Sequence, residues 1–344
     1  MAKKIQVSSD GGTSWGTLPG SSGDFKDAGG SIDDTIFGQS FASSEVGLLS
    51  PQVTANGLYK GFAGYVATIK KSGTSTSMVA ESMSLLSGKT YQIDTASRNL
   101  WDHSATFTFK DTGTAVNSAD IANVNYLLGQ VTFANTYTPA GAITVDGNYF
   151  PLASVGKANS FTLNQSANMK DETDFDIAQT NGGYKFFTAG LKTVNLTASG
   201  IYAAANGFQA LLEGRSEFII ELNPDGTGKS IARGFFKLSD RSQSGNVGDV
   251  EAEDITFNLN VPDVADLLTP FTWQHLATTT LNIAIRDSLT SWQDGTAIKL
   301  RYLPDGVSGF EVDALVASMN LTGGLEVMND FAATFQAIGQ PIAV

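Results

Sequence analysis

The sequence has no cysteine and only two histidines, His103 and His275, among its 344 residues. Without cysteine it forms no disulfide, thiolate metal site or cysteine nucleophile. Asp102 adjoins one of the histidines, but neighbours on a strand point to opposite faces, so we expect neither a catalytic triad nor a metal site. The sequence therefore predicts a non-enzymatic protein without cofactor or metal, in which either histidine is dispensable for function.

Charge is also scarce, because charged residues make up only 16% of the chain, against about a quarter in typical domains. Lys and Arg total 21 and Asp and Glu total 34, which gives a formal net charge of -13. Binding to phosphate backbones needs clustered basic residues, so this balance disfavours a nucleic-acid-binding protein. No apolar run is long enough to span a membrane. The start, Met1-Ala-Lys-Lys-Ile, lacks the apolar region of a signal peptide, so we expect synthesis in the cytoplasm.

Three short patterns suggest chemistry, but each favours a plain structural interpretation. The Gly-Thr-Gly-Lys-Ser segment at 226–230 has Asn223 where a phosphate loop needs glycine, and it predicts a hairpin turn instead. The sequences Asn-Leu-Thr at 195–197 and 320–322 match the glycosylation pattern but are predicted to be strand residues. The acidic run at 249–254 lacks the spacing and glycine of a calcium-binding loop, and its alternation predicts a strand with one wet face.

Most of the chain is predicted to be β-structure. Polar and apolar residues alternate in short runs, for example at 106–110, 218–222 and 298–302, and five Asp-Gly pairs mark turns. Helical spacing occurs at two places. Leu281, Ile285, Leu289 and Trp292 form one apolar stripe, and a shorter helix is predicted from Ala204 to Leu212.

The sequence also repeats itself in two pairs of segments. Residues 47–59 align without gaps to 190–202, and each copy is preceded by Asp-x-Thr-x-Phe, at 33–37 and 171–175. Further along, residues 220–226 resemble 300–306, both ending in Pro-Asp-Gly, and each follows one of the predicted helices. A common order of two matches is a stronger signal than either match alone.

The order of these segments predicts a nested duplication. One β domain is split between residues 1–66 and 266–344, and its homologue occupies 148–265 inside it. Insertion of this kind is tolerated where chain ends lie close together. Residues 67–147 remain and predict a small inserted β module, with strands near 90–93, 105–110, 129–133 and 142–145.

The ordered set of segments resembles the tail tube (major tail) proteins of long-tailed bacteriophages. The Asp-x-Thr-x-Phe segment and the strand at 47–59 are similar to their first sheet, and the helix, the Pro-Asp-Gly strand and the hairpin at 310–336 resemble the rest of their fold. The resemblance covers about three quarters of the chain and omits residues 67–147. It implies a mainly β fold of two homologous β-sandwich or barrel tube domains, each with one α-helix, beside the small extra module.

The resemblance implies a structural virion protein whose rings stack into the tail tube, the conduit for DNA ejection. Two tube domains in one chain favour a homotrimeric, pseudo-hexameric ring, with a homohexamer as the alternative. The implied partners are other copies of the chain, a tape measure protein and a tail terminator, while DNA passes without specific binding. A terminator or baseplate hub ring and, from another class, a carbohydrate-binding β-sandwich remain open.

A tube that conducts DNA is expected to have an acidic lumen, since a basic wall would hold the phosphates. The candidate lumen-facing acids lie on the two long hairpins that close the domain copies. They are Asp249, Glu251 and Glu253 in one hairpin, and Glu326 and Asp330 in the other. The alternative is that these carboxylates lie outside the tube and serve solubility.

Overall fold

The structure is a computed structural model that describes residues 2–36, 41–63, 66–155, 157–201, 207–245, 251–264, 269–279, 281–325 and 327–344. As predicted, the described residues are mainly β, with three α-helices. The strands, numbered along the chain, form three sheets.

The largest sheet has 16 strands. They are β1 (Lys4–Ser8), β2 (Gly16–Thr17), β3 (Gly20–Lys26), β6 (Gln52–Ala63), β7 (Thr68–Ser72), β15 (Leu152–Ser154), β16 (Lys157–Asp171), β17 (Phe187–Ile201), β18 (Glu217–Asn223), β19 (Ser230–Ser244), β20 (Ala252–Leu259), β21 (Phe271–His275), β22 (Ile298–Leu303), β23 (Phe310–Gly324), β24 (Val327–Ala337) and β25 (Ile342–Ala343).

Two smaller sheets accompany it. A two-stranded arm consists of β4 (Gly29–Asp33) and β5 (Ser44–Leu49), and a seven-stranded module lies between β7 and β15. The module strands are β8 (Thr76–Ser87), β9 (Thr90–Ile93), β10 (Thr108–Asp111), β11 (Thr114–Ala115), β12 (Ile121–Asn125), β13 (Gln130–Phe133) and β14 (Ile143–Tyr149). The four strands predicted in this region are all present, and the helices are α1 (Phe175–Thr180), α2 (Phe208–Glu213) and α3 (Ile283–Asp294).

Strand order divides the large sheet into two units with the same topology. In the first unit the order of paired strands is β2-β1-β22-β23-β24-β6-β3. In the second unit it is β15-β7-β18-β19-β20-β17-β16. Strands from the first 66 residues thus pair with strands from the C-terminal part, as nesting requires. The duplication itself stays a prediction, since equal strand order does not establish common ancestry.

Sheet pairing departs from the predicted domain boundaries at two places. Strand β7 falls within 67–147 but pairs with β18 and β15, and its Ile69 lies in the core of the large sheet. Strand β21 falls within 266–344 but pairs with β19 of the second unit. Neither short strand carries a repeated motif, so the alignment of repeats could not assign it. The module is therefore inserted in the β7–β15 connection, where the first unit has only the turn between β1 and β2.

The first repeated motif forms the same local turn in both units. In Asp-x-Thr-x-Phe the aspartate Oδ1 accepts a hydrogen bond from the backbone N–H of the threonine two residues on, at 2.9 Å for Asp33 and Thr35 and 3.1 Å for Asp171 and Thr173. This is an Asx turn. Phe37 lies outside the described residues.

Helix α3 forms as predicted. The Asn282 side chain caps its first turn by accepting from the N–H of Ala284 at 2.8 Å, and Gly295, at φ 71°, ends it in the left-handed conformation. The stripe of Leu281, Ile285, Leu289 and Trp292 is buried in the main core. Helix α2 is shorter than predicted because Gly207, at φ 73°, directly precedes it; residues 202–206, which include Ala204, lie outside the described residues. Helix α1 was not predicted, so the second unit has two helices instead of one.

In the second unit one side of β18 faces the main core and the other faces the module. Phe218 of β18 packs edge-on against Phe257 of β20 at 5.8 Å between ring centroids, so these two strands, which flank β19, contribute to the same core. Ile219, which points the other way from β18, joins Phe235 in the core of the module. Strand β18 is thus buried on both faces, and its polar residues Glu221 and Asn223 are buried as well.

Candidate functional site

Strand β16 separates the apolar core from a polar outer surface. Phe161, Leu163 and Gln165 are buried, and the residues between them, Thr162 and Asn164, point outward. The same alternation holds on its neighbours. The outward residues of β20, β17, β16, β23, β24, β6 and β3 form one continuous surface, here called the polar face.

The polar face consists of aligned rows of hydroxyl and amide side chains, because the strand register places like residues opposite one another. An asparagine row runs through Asn258, Asn195, Asn164, Asn320, Ala332, Asn56 and Ser22. A threonine row runs through Thr256, Thr197, Thr162, Thr322, Asp330 and Leu58. A third row runs through Thr193, Ser166, Ser318, Thr334, Thr54 and Asp24.

Side chains in these rows bond to each other across strands. Asn195 Nδ2 donates to Asn258 Oδ1 at 2.6 Å, and the hydroxyls of Ser166 and Thr193 lie 2.7 Å apart. Charge is nearly absent, since the three rows contain two acids, Asp24 and Asp330, and no lysine or arginine. The surface is therefore hydrated and almost neutral, with a slight negative balance.

The signal for this surface was present in the sequence but was interpreted in another way. Both Asn-Leu-Thr segments lie at its centre, at 195–197 on β17 and 320–322 on β23, which confirms that they are strand residues. What the sequence did not show is that these two segments, 123 positions apart, flank β16 in one sheet.

Glu253 does not lie on the polar face, which corrects its prediction as a lumen-facing acid. It shares the inward phase of β20 with Ile255 and Phe257, and it is 4% exposed. Arg241 Nε donates to Glu253 Oε1 at 2.5 Å, and Arg241 Nη1 donates to Gln209 Oε1 at 2.7 Å. The outward phase begins at Asp254, which is exposed. Counting alternate residues back from the apolar Phe257 would have assigned Glu253 to the inward side of the strand and Asp254 to the outward side.

The other four predicted acids have different outcomes. Asp330 is exposed on the polar face, opposite Thr322 and Leu58. Glu251 is exposed just before β20. Asp249 and Glu326 lie outside the described residues. The structure therefore brings one of the five predicted acids, Asp330, onto the polar face, and whether that face lines a lumen stays a prediction.

His275 belongs to a buried polar network around the Pro-Asp-Gly turn. Its Nδ1 lies 3.2 Å from Ser230 Oγ, and Ser230 Oγ lies 2.5 Å from Thr279 Oγ1, which donates to Asp225 Oδ2 at 2.9 Å. The contact resembles a nucleophile–base pair, but Ser230 is completely buried and its imidazole partner stacks on Trp273. Burial lowers the pKa of His275 to about 4. The network fixes the turn between β18 and β19, so the 226–230 segment is a hairpin connection, as predicted.

His103 lies at the contact between the module and the second unit. Its Nε2 bonds to Glu217 Oε1 of β18, and its ring packs edge-on against Phe235 at 5.1 Å. The hydrogen bond to Glu217 raises the pKa of His103 above its ordinary value. His103 is thus a half-buried contact residue between the module and β18.

The two-stranded arm is strongly exposed and carries several apolar side chains. All five residues of β4 are exposed, and the apolar side chains of the arm and its tip include Ile32, Phe41, Val46 and Leu48, exposed by 57%, 87%, 71% and 37%. Its base is fixed to the second unit, because Leu49 N–H donates to Gly183 O at 2.9 Å. An apolar surface of this kind marks a contact site.

The described residues contain neither a metal-binding cluster nor a membrane-spanning helix. No group of three or more His, Asp or Glu side chains is arranged to hold a metal ion. None of the described helices has the length and apolar character needed to cross a bilayer.

No protein-family model matches the sequence, and no curated protein matches it significantly. Two solved structures resemble parts of the chain. One, from the tail of an empty gene transfer agent particle refined with C6 symmetry, has 11% identity over 37% of this chain and 87% of that chain, at a TM-score of 0.30. The other, from the virion of a native gene transfer agent particle, has 10% identity over 46% and 99%, also at 0.30. Both TM-scores are below the level that establishes a shared fold.

We expect Glu253→Lys to destabilise the protein by about 3–5 kcal/mol, because it breaks a buried ion pair and sets two cations together. The matched control Asp254→Lys changes an exposed neighbour and should stay within about 0.5 kcal/mol. Urea unfolding followed by tryptophan fluorescence measures both. Equal stability of the two variants would contradict the burial of Glu253.

Proposed function

We propose that this chain is a non-enzymatic structural protein that closes into a ring by strand pairing between copies. The polar face lines the channel of the ring, and the rings stack into a tube of the phage-tail kind that the sequence resembles. One observation supports the proposal. The two strands that join the units inside the chain, β16 and β23, have equivalents, β3 and β19, and each equivalent has an edge without a strand partner in the described part of the chain.

The internal joint is an antiparallel pairing of β16 with the C-terminal half of β23. Seven residue pairs form it, from Ser160 opposite Gly324 to Ser166 opposite Ser318. Strand β16 is the last strand of the second unit, and β23 belongs to the first. A single edge-to-edge contact therefore turns two seven-strand units into one sheet.

The counterparts of these strands are β3 and the C-terminal half of β19. Both β19 and β23 have a bulge next to the joint, between Leu238 and Asp240 and between Val316 and Ser318. Aligning the two bulges makes Asp240 of β19 equivalent to Ser318 of β23. Likewise Thr162 of β16 and Asp24 of β3 lie opposite Thr197 and Thr54, which are equivalent in the repeat.

Both counterparts have an edge without a strand partner in the described part of the chain. Strand β3 pairs with β6 on one side, and the C-terminal half of β19 pairs with β20 on one side. Unpaired edges are templates for pairing with another chain. If β3 of one copy pairs with β19 of the next in the register that β16 and β23 use, Lys26 lies opposite Ser242. Asp240 then lies diagonally opposite Lys26 on the same face. Opposite charges at such cross-strand positions are favourable.

Head-to-tail contacts of this kind form a ring when the rotation closes. Each chain contributes eight consecutive strands, namely β19, β20, β17, β16, β23, β24, β6 and β3. Three chains would give about 24 strands, and at a spacing of about 4.8 Å and a tilt of 35–45° the opposite backbones lie roughly 45–50 Å apart. A channel of that width admits double-stranded DNA.

The polar face suits the wall of such a channel. Its nearly neutral hydroxyl and amide rows hold no cluster of lysine or arginine to bind phosphates, so DNA is not retained by counterion release. The module packs on β18 and β19, beyond the β20 end of the polar face, and is assigned to the outer side of the tube. The arm, with its exposed apolar side chains, is assigned to contacts between successive rings.

Engineered disulfides test the ring joint. Because the chain has no cysteine of its own, only the introduced cysteines can form a cross-link. Directly opposed strand residues lie about 4.5–5.5 Å apart between Cα atoms, within disulfide range. We expect oxidation of assembled Lys26→Cys/Ser242→Cys protein to give covalent trimers on a denaturing gel.

Two controls accompany the disulfide test. Asn164→Cys/Asn320→Cys spans the internal joint and should close within one chain, which mass spectrometry detects. Lys26→Cys/Gln243→Cys is shifted by one residue to the opposite face and should not cross-link. If the internal pair closes while Lys26→Cys/Ser242→Cys remains monomeric, the proposed joint is wrong.

Labelling tests the lumen assignment. Tubes of Asn320→Cys, biotinylated through the thiol, should not bind avidin along their length until they are dissociated, because avidin is too large to enter. Tubes of Val79→Cys, placed on the exposed side of β8 in the module, should bind it while intact. Avidin along intact Asn320→Cys tubes, seen by electron microscopy, would place the polar face outside.

A charge in the arm tests the contact between rings. Val46→Asp should leave rings intact but stop their stacking, since it puts a carboxylate into an apolar contact. Val307→Asp, at a comparably exposed site in the turn after β22, serves as the control. Tubes of normal length from Val46→Asp protein, measured by negative-stain imaging, would remove the arm from the stacking contact.

A further inference from the structure

A cleft lies between the module and the second unit, away from the polar face. The volume of this cleft is about 730 Å³. A separate, smaller cavity beside β16 has a volume of about 170 Å³. Gln92, Asn99 and Tyr149 line it from the module, and Lys70, Glu221, Asn223, Arg233 and Gln274 line it from β7, β18, β19 and β21. A cleft of this size, with a few converging polar groups, is typical of a small-molecule site.

The charged groups in the cleft leave one positive charge in excess. Glu221, 3% exposed, accepts from Arg233 Nε at 2.7 Å, from Lys70 Nζ at 3.2 Å and from Asn223 Nδ2 at 2.9 Å. Arg233 also donates through Nη1 to Leu127 O at 3.1 Å. One carboxylate therefore faces two cations. Lys70 has three N–H donors, of which Glu221 takes one.

Asn223 gives the second observation. It is 1% exposed, and among the described residues its Oδ1 has no hydrogen-bond partner. The orientation of the amide is fixed, because only the NH₂ group can donate to the Glu221 carboxylate. A buried acceptor without a donor is costly. The cleft thus has a cation at Lys70, and Asn223, one of its lining residues, holds a buried acceptor that a donor entering from the cleft would satisfy.

We propose that this cleft binds a hydroxylated carboxylate of sugar-acid size. The carboxylate meets Lys70, which has spare donors and the excess charge. A hydroxyl donates to Asn223 Oδ1, and the amides of Gln92, Asn99 and Gln274 bond the remaining hydroxyls. A simple carboxylate lacks the donor for Asn223, and a neutral sugar lacks the charge for Lys70. The site is independent of ring formation and is tested on the unassembled protein.

Calorimetric titration with glucuronate tests the site. We expect saturable binding of glucuronate at one site per chain, and binding of acetate and of glucose weaker by about tenfold or more, since each loses one charged or buried hydrogen bond. Methyl glucuronide separates the two sources of this chemistry: binding equal to that of glucuronate indicates the end of an acidic glycan, and weaker binding indicates the free acid.

Two variants and a matched control locate the binding. Lys70→Met removes the excess charge and should weaken glucuronate about tenfold without changing the binding of glucose. Asn223→Leu removes the acceptor and should weaken both. Lys71→Met is the control, because Lys71 lies next on β7 but points to the other side, over the ring of Phe208 at 5.7 Å.

Circular dichroism establishes that each variant is folded, and Lys70→Met alone decides the matter if Asn223→Leu does not fold. Absence of saturable glucuronate binding by the unmodified chain, or equal affinity in Lys70→Met and Lys71→Met, would overturn the proposal.

Discussion

The architecture depends on the antiparallel joint between β16 and β23, which connects the two units into one sheet. Gln165 stabilises it from the buried side, where its Nε2 donates to Met319 O at 3.1 Å and its Oε1 accepts from Trp273 Nε1 at 2.7 Å. Gln165 is completely buried, so each of these bonds would be expensive to leave unmade. One glutamine thereby holds a strand of each unit and β21, and the joint sets the register of the asparagine and threonine rows.

A second buried polar group connects the module to the second unit. Arg233 spans from the Glu221 carboxylate on β18 to the Leu127 carbonyl in the module, while Ile219 and Phe235 complete the apolar core of the module. Removing one partner of a buried pair leaves an uncompensated charge, so the contact has one favourable geometry. The module is thus fixed on β18 and β19, beyond the β20 end of the polar face, and the rows from β20 to β3 stay continuous.

The sequence predicted much of the candidate site without locating it. Period-two patterns identified β10, β18 and β22, and the alternation of Ile255 and Phe257 contained the assignment of Glu253 to the core. The prediction for Glu253 was wrong because acidic character was given more weight than strand phase. Asp330 is exposed on the outward side of β24, and its place in a lumen stays a prediction. The unpaired edges of β3 and β19 could not be predicted, since pairing between strands far apart in the chain depends on hydrogen bonds that leave no local pattern.

By itself the sequence determined the β class, the stripe of α3, the turns at Asp10-Gly11, Asp225-Gly226 and Asp305-Gly306 and the order of the repeated segments, because each follows from local spacing and backbone preference. The turn predicted at Asp146-Gly147 was wrong, because this pair lies within β14, where pairing with β8 extends the strand. Only the tertiary structure decided that β7 and β21 belong to the second unit, that the module is inserted between β7 and β15, and that Lys70, Glu221, Asn223 and Arg233 converge in one cleft. These arrangements arise from long-range strand pairing and burial, in which residues more than a hundred positions apart satisfy each other's hydrogen bonds and charges.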